Sequence, residues 1–213
     1  GSDFDISGLT GADYATLAPV TWPQAGKRAG RFFGDGQFHT ADGRARMVPV
    51  RARLPAATSP DHPYRLNTGR LRDQWHSMTR TALSPRLLQH MGEPYLEIHP
   101  ADATSLGLAP ATLAEVTSPQ GRAILRVMIS DQVAPGHPFV PMHWTALTAP
   151  SGRIDALVPA LTDPVSGQPA SKSATVAIRP FRAAWYGFAI SRQDVTPDCA
   201  YWAKAPVAGG VQL

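Results

Sequence analysis

Ile124-Leu125-Arg126-Val127-Met128-Ile129 alternates two sets of side chains, Ile124, Arg126 and Met128 against Leu125, Val127 and Ile129. Successive residues of a strand point to opposite faces, so this run reads as one long strand. Shorter apolar runs recur on either side of it. Leu113 and Val116 mark one, Tyr95, Leu96 and Ile98 another, and Met47, Val48, Val50 and Leu54 a third that starts from Arg46. Downstream lie Phe139-Val140 before Pro141, and then Val176, Ile178 and Phe181. The 21 prolines and 18 glycines among 213 residues suit many turns and short strands. Together these features predict a mainly β protein, a closed or nearly closed barrel with short helical insertions.

Two helices are readable between the strands. Ser84-Pro85 supplies a cap and a first-turn proline for one reaching about Met91, and Pro100 opens another that ends near Gly107. The barrel is expected over residues 45–180, after a lead-in over residues 1–44 in which Gly1-Ser2 reads as a tag remnant. In that lead-in Thr10 can cap a short helix to about Leu17, and Gly34-Asp35-Gly36 and Asp42-Gly43 each suit a hairpin turn. Residues 181–213 carry Trp185, Tyr186, Phe188, Tyr201 and Trp202, an aromatic extension expected to pack on the barrel or on a neighbouring domain.

Composition removes several classes of function. A hydrophobic share of 43% and a charged share of 17% belong to a folded chain. No apolar run approaches the roughly 18 residues that cross a bilayer, so no membrane partner is expected, and the start lacks the regions of a signal peptide. The one cysteine, Cys199, allows neither an internal disulfide nor a self-contained thiolate cluster, which fits a reducing, cytoplasmic setting. His76, His90, His99 and His143 sit at no ligand spacing, so no metal site is predicted. No Gly-x-Ser-x-Gly elbow and no dinucleotide fingerprint of glycines occurs. A net charge of +4 favours anionic partners in general. Lysine is scarce and the aromatics do not interleave with it, so an independent anion- or nucleic-acid-binding module ranks well behind other readings.

The richest chemistry lies in residues 65–80, with Arg65, Arg70, Arg72 and Arg80, one acidic residue, Asp73, and the small donors Asn67, Thr68, Ser77 and Thr79. Arginine forks and backbone N–H groups around a flexible glycine, Gly69, are what a pyrophosphate requires. Trp75 offers a flat face for a ring. Composition alone slightly favours a plainer reading, a solvated basic loop around one buried tryptophan. A second stretch, Phe139 through Thr145, ends a strand in Met142-His143-Trp144, and Asp163-Pro164 with Ser166-Gly167 folds a polar loop before Lys172. Here too plainer roles stay open: a histidine satisfied by backbone partners, and a surface ammonium.

Thr68-Gly69-Arg70 followed by Trp75-His76-Ser77 resembles the paired segment of the molybdopterin oxidoreductases that carry two pyranopterin guanine dinucleotides. Tyr95 through Ala103 resembles a strand-to-helix step of their C-terminal domain. The stretch Pro138 to His143, residues 162–169, Lys172 and the tail motifs Tyr186-Gly187-Phe188-Ala189 and Tyr201-Trp202-Ala203-Lys204 are similar to the assimilatory nitrate reductase branch. The resemblance covers nearly the whole chain in order. It implies a six-stranded double-psi β-barrel, like aspartate decarboxylase, that closes over a molybdenum-bis(molybdopterin guanine dinucleotide) cofactor in a larger enzyme reducing nitrate. It also implies that Thr68, Gly69, Arg70, Leu71, Arg72, Asp73, Gln74, Trp75, His76 and Ser77 bind the cofactor, with Lys172 as a cofactor lysine. Met142 and His143 fall at the substrate funnel. Where relatives carry an asparagine this chain has Ser151-Gly152-Arg153, which puts Arg153 in its place with a charged fork. The family's [4Fe–4S] motif needs four thiolates and is expected in a missing N-terminal part. The partners expected are therefore the remaining domains of the parent. The piece by itself is expected to be inactive and to retain no cofactor. A sister enzyme such as a formate dehydrogenase is the alternative.

Overall fold

Six strands that each bury alternate residues leave no unpaired edge if the first and last also pair, and a closed barrel results. The computed structural model describes residues 11, 13–19, 33–49 and 55–213. The chain divides into two units, Gly1–Arg53 and Leu54–Leu213. In the second, β1 (Tyr64–Gly69), β2 (Tyr95–Ile98), β3 (Leu113–Thr117), β4 (Arg122–Ile129), β5 (Phe139–Pro141) and β6 (Ala174–Phe181) form a closed barrel in the order β1-β5-β2-β4-β3-β6. The pairs β1–β5 and β2–β4 are parallel and the other four antiparallel. Advancing every strand by three maps this pairing onto itself: β1–β5 becomes β4–β2, and β1–β6 becomes β4–β3. The barrel is thus two interlocked three-stranded halves, each lending the other its parallel partner, which is the double-psi arrangement. No sequence repeat marks the two halves.

The interior follows the period of two. Leu66 of β1, Leu96 and Ile98 of β2, Ala114 and Val116 of β3, Ala123, Leu125 and Val127 of β4, Val140 of β5, and Ala174, Val176 and Ile178 of β6 meet in one apolar cluster. Single 3-10 turns at Pro150–Gly152 and Ile154–Leu157 pack against β4, and Ile154 and Leu157 join the same cluster. That close cover needs a glycine, since a Cβ on Gly152 would lie 2.4 Å from Pro94 Cγ. Glu115 of β3, 4% exposed, is held by Arg122 Nη1 at 3.1 Å and by the Arg179 guanidinium of β6. Helix α1 (Pro100–Leu106) forms where Pro100 and Gly107 predict it, with Gly107 at φ +67°. Its cap is the His99 side chain, which accepts from Ala101 N–H at 3.1 Å.

Two expected elements are corrected. The helix from Ser84 to about Met91 is instead a pair of 3-10 turns, Thr81–Leu83 and Pro85–Leu88, and Ser84 makes no side-chain cap. The strand from Arg46 is absent over the described residues 46–49. Met47 is 97% and Val48 72% exposed, so nothing buries them. Val50 and residues 51–54 of that run lie outside the described residues. The sixth barrel strand is β1, built on Leu66 and Thr68. In the lead-in, Thr10 lies outside the described residues, and residues 14–16 form a turn closed by Thr16 N–H on Asp13 O at 3.2 Å. The glycine turns do form, with Gly36 N–H on Phe33 O at 3.0 Å and Gly43 N–H on Thr40 O at 3.0 Å, but no strands flank them among the described residues.

After the barrel, β7 (Ile190–Ser191), β8 (Ala205–Val207) and β9 (Gly210–Gln212) make a small sheet ordered β7-β9-β8. Ala205 joins Met78, Leu88, Trp144 and Ala149 in a second apolar cluster. Tyr201 OH donates to Glu93 Oε2 at 2.7 Å while Arg126 Nε donates to Glu93 Oε1 at 3.0 Å. The Arg126 guanidinium also lies 5.7 Å from the Tyr201 ring centre and 5.8 Å from that of Tyr186. Burial, with the Glu93 carboxylate beside it, pushes the Tyr201 phenol far above its ordinary range. Trp185 and Phe188 remain exposed.

The replacement of the expected first strand by β1 is directly testable. Leu66→Ala should lower unfolding free energy by about 2–5 kcal/mol, the range for emptying a core position. Val48→Ala should change it by less than about 0.5 kcal/mol, as surface substitutions do. Urea titrations of both variants read the difference.

Candidate functional site

Parallel strands leave a barrel at the same end. In the β1–β5 pair Gly69 stands opposite Pro141, so residues 70–77 and 142–145 emerge side by side, and Met142 N–H donates to Gly69 O at 2.9 Å. β6 runs antiparallel to β1 with Ala174 opposite Leu66, which brings residues 171–172 over the same end. There Thr68 Oγ1 donates to Ser171 O at 2.8 Å and Lys172 Nζ donates to Thr68 O. Three stretches far apart in sequence therefore meet on one rim. Gly69 is pressed against it: a Cβ there would lie 2.6 Å from the Phe139 ring.

Within residues 70–77 the side chains divide into two groups. Arg70, Trp75, His76 and Ser77 are exposed. The Arg70 guanidinium lies 5.8 Å from the centre of the Trp75 ring, and His76 meets that ring edge-on at 4.7 Å. Trp75 is 64% exposed, so it is not the buried tryptophan of a plain basic loop but a face open to a ligand. The rest are engaged with the protein. Arg72 grips Asp73 with Nε–Oδ1 at 3.0 Å and Nη2–Oδ2 at 3.1 Å, and His90 Nδ1 is 2.6 Å from Asp73 Oδ2. The Arg72 hydrogen bond, first among its causes, holds the Asp73 carboxyl below its ordinary value. Gln74 is buried and donates to Leu87 O at 2.8 Å, and Leu71 packs on the second apolar cluster. His76 and Met78 adopt φ of +45° and +58°, a region that costs a residue with a side chain about 1–3 kcal/mol.

His143, expected at the substrate funnel with Met142, is fully buried. Its Nδ1 lies 2.7 Å from His76 O, and its Nε2 accepts from Leu71 N–H at 2.7 Å. Both nitrogens are thus taken by the neighbouring loop. Met142, one residue earlier, is 38% exposed. Arg153 spends part of its fork on Pro150 O at 3.3 Å and on Asp155 at 3.8 Å.

Two clefts flank the rim. One, of about 620 Å³, is lined by Arg65, Asn67, Glu97, His137, Phe139 and Lys172 among others. The other, of about 260 Å³, is lined by His76, Ser77, Met142, His143, Trp144 and Asp155 among others. Each includes a residue with a buried donor that finds no acceptor, Arg65 Nη1 in the first and Trp144 Nε1 in the second. A buried donor left unmet costs about 1–3 kcal/mol. Phosphate oxygens and the heteroatoms of a ring would meet both, so the residues fit a phosphorylated, ring-bearing cofactor. Arg65 had to be read as an outward position of a strand to be seen here, alternating with Leu66 and Thr68. The pattern of alternation held that signal.

The barrel thus presents a cationic rim with an exposed ring beside it. The family model for the Molydopterin dinucleotide binding domain matches residues 64–175, and the chain belongs to that family. It is 44% identical to a nitrate reductase of Klebsiella oxytoca over 99% of this chain and 25% of that protein. A nitrate reductase of Shewanella frigidimarina is 31% identical over 95% of the chain and 24% of its own length. The F420-dependent formate dehydrogenase subunit alpha of Methanocaldococcus jannaschii is 33% identical over 51% of the chain and 16% of its own length. The chain spans about a quarter of the length of the nitrate reductases it matches.

The division of the loop yields a contrast. Trp75→Ala should leave unfolding free energy within about 0.5 kcal/mol of the parent chain. Met78→Ala, three residues on and 1% exposed, should lower it by about 2–5 kcal/mol. Thermal and urea unfolding of the pair check this.

Proposed function

We propose that this chain is the part of a cytoplasmic, assimilatory-type nitrate reductase that closes over a molybdenum-bis(molybdopterin guanine dinucleotide) cofactor. The observation that carries the reading is a similarity to nitrate reductases that runs through the whole chain, the rim and the tail included, whereas that to the formate dehydrogenase stops at half of it. In the parent enzyme the remaining domains are the partners, a [4Fe–4S] cluster lies in another part of the polypeptide, and nitrate is the substrate. Among the described residues no helix is long and apolar enough to cross a membrane. The piece alone is proposed to be inactive and to release the cofactor, because one rim supplies only one wall of its site.

The bound group supplies two-electron chemistry at molybdenum, by which nitrate becomes nitrite. This chain's residues bind and orient. Arg70 and Lys172 place positive charge at the two sides of the rim, and guanidinium pairs with phosphate through two parallel hydrogen bonds. Thr68 and Gly69 bring backbone to the rim, where the absence of a side chain lets Gly69 lie against the Phe139 ring. Trp75 presents a ring face, and Ser77 and His76 offer donors at the second cleft. Met142, exposed between that cleft and the rim, is proposed to line the route to substrate, and Arg153 to add charge at its margin. Leu71, Arg72, Asp73 and Gln74 support the loop from behind.

The test is made in the full-length parent. Arg70→Ala together with Lys172→Ala should cut molybdenum and guanine nucleotide content per protein by at least about tenfold, the factor for losing roughly 1.4 kcal/mol. Full molybdenum content in the double variant would overturn the assignment of these residues. Replacement of nitrate by formate as the substrate turned over by the intact enzyme would overturn the branch.

A further inference from the structure

We propose that His143 is the positioning residue that sets the shape of the cofactor loop, its imidazole tying the N–H of Leu71 at one end to the carbonyl of His76 at the other. The loop cannot hold its form by local preference, because His76 and Met78 both sit at positive φ without being glycine. Something outside must fix it. The exit of β5 is a firm anchor, held to Gly69 through Met142 N–H, and His143 follows it directly, fully buried. A carbonyl only accepts, so Nδ1 carries the proton toward His76 O. Leu71 N–H donates, so Nε2 is bare. A second proton on the ring would set donor against donor at Leu71. One state of the imidazole, neutral with hydrogen on Nδ1, therefore satisfies both ends.

The surroundings favour that state. Burial is the first cause holding the His143 ring below its ordinary value, and Arg70 and His76 from the loop add to it, while the bond to His76 O works the other way. Asp155, from the turn across the second cleft, is the acidic group lining the same space. A ring whose pKa is lowered on folding stabilises the folded loop at pH above the unfolded value of about 6.5. That stabilisation is lost as pH falls through the folded value. Acid should therefore release the Leu71 end of the loop while leaving the barrel closed.

This inference rests on the cofactor reading only for what the loop holds, since its geometry is read without ligand. In the 213-residue chain, imidazole nitrogen NMR should find His143 neutral with hydrogen on Nδ1 at neutral pH. Amide exchange should find Leu71 N–H protected. On acidification the two signals should change together, at a pH below that of an ordinary imidazole, with Met142 N–H still protected. His143→Leu, which offers neither donor nor acceptor, should lose protection at Leu71 by at least about tenfold, the factor for one hydrogen bond, at every pH, again with Met142 N–H retained. Undiminished protection of Leu71 in that variant overturns the proposal. If the variant does not fold, the titration of the native chain decides alone: a ring titrating without any change at Leu71 overturns it equally. Normal cofactor retention after loss of Arg70 and Lys172 would sink the cofactor assignment and leave this result standing.

Discussion

The parallel pairing of β1 with β5 is the constraint from which the rest of the molecule follows. A parallel pair cannot be joined by a tight turn, so the chain must travel through β2, β3 and β4 before β5 returns beside β1. The reward is that two loops with no sequence proximity start from adjacent positions, Gly69 and Pro141, at the same height. β6, antiparallel to β1, then closes the barrel and delivers Lys172 to the carbonyl of Thr68. Each group on the rim is placed by a backbone pairing rather than by a flexible side chain, which is how a site gains precision from a scaffold.

The rim also shows how a charged loop separates support from recognition. Arg72 and Asp73 neutralise each other and take His90 into the same network. Gln74 and Met78 turn inward. That leaves Arg70 and Trp75 outward, stacked on one another. A guanidinium over an indole is kept extended at modest cost in side-chain freedom, which presents it better than an isolated surface arginine. Two arginines only two positions apart, Arg70 and Arg72, therefore have opposite roles without any change in polarity.

Much of the barrel was legible because its strands advertise themselves. Leu125 and Val127, or Leu96 and Ile98, alternate with outward residues, and apolar burial at period two leaves few other readings. β1 does not. Its inward positions are Leu66 and Thr68, one aliphatic and one polar, and Thr68 can be buried only because Ser171, a hundred residues away, accepts its hydroxyl. Nothing local announces that partner. Met47 and Val48 gave a louder signal and carry no burial at all. The rim residues were legible through their chemistry and through the family pattern, but composition cannot say which arginine is already paired. His143 illustrates the limit from the other side: its neighbour Met142 is partly open to solvent, while the imidazole is buried by bonds to Leu71 and His76, some seventy residues away.

The interlocking of the two halves has a consequence for how the domain comes into being. Every strand of the first half takes a neighbour from the second, so neither half is a smaller barrel in waiting. Loop closure must be met over long stretches of chain before its contacts return any gain. During synthesis the first five strands can emerge without a finished rim, because the lysine and the strand that seal it are among the last barrel residues to be made. The rim is thereby assembled only once all six strands have been made, a timing written into the strand order itself.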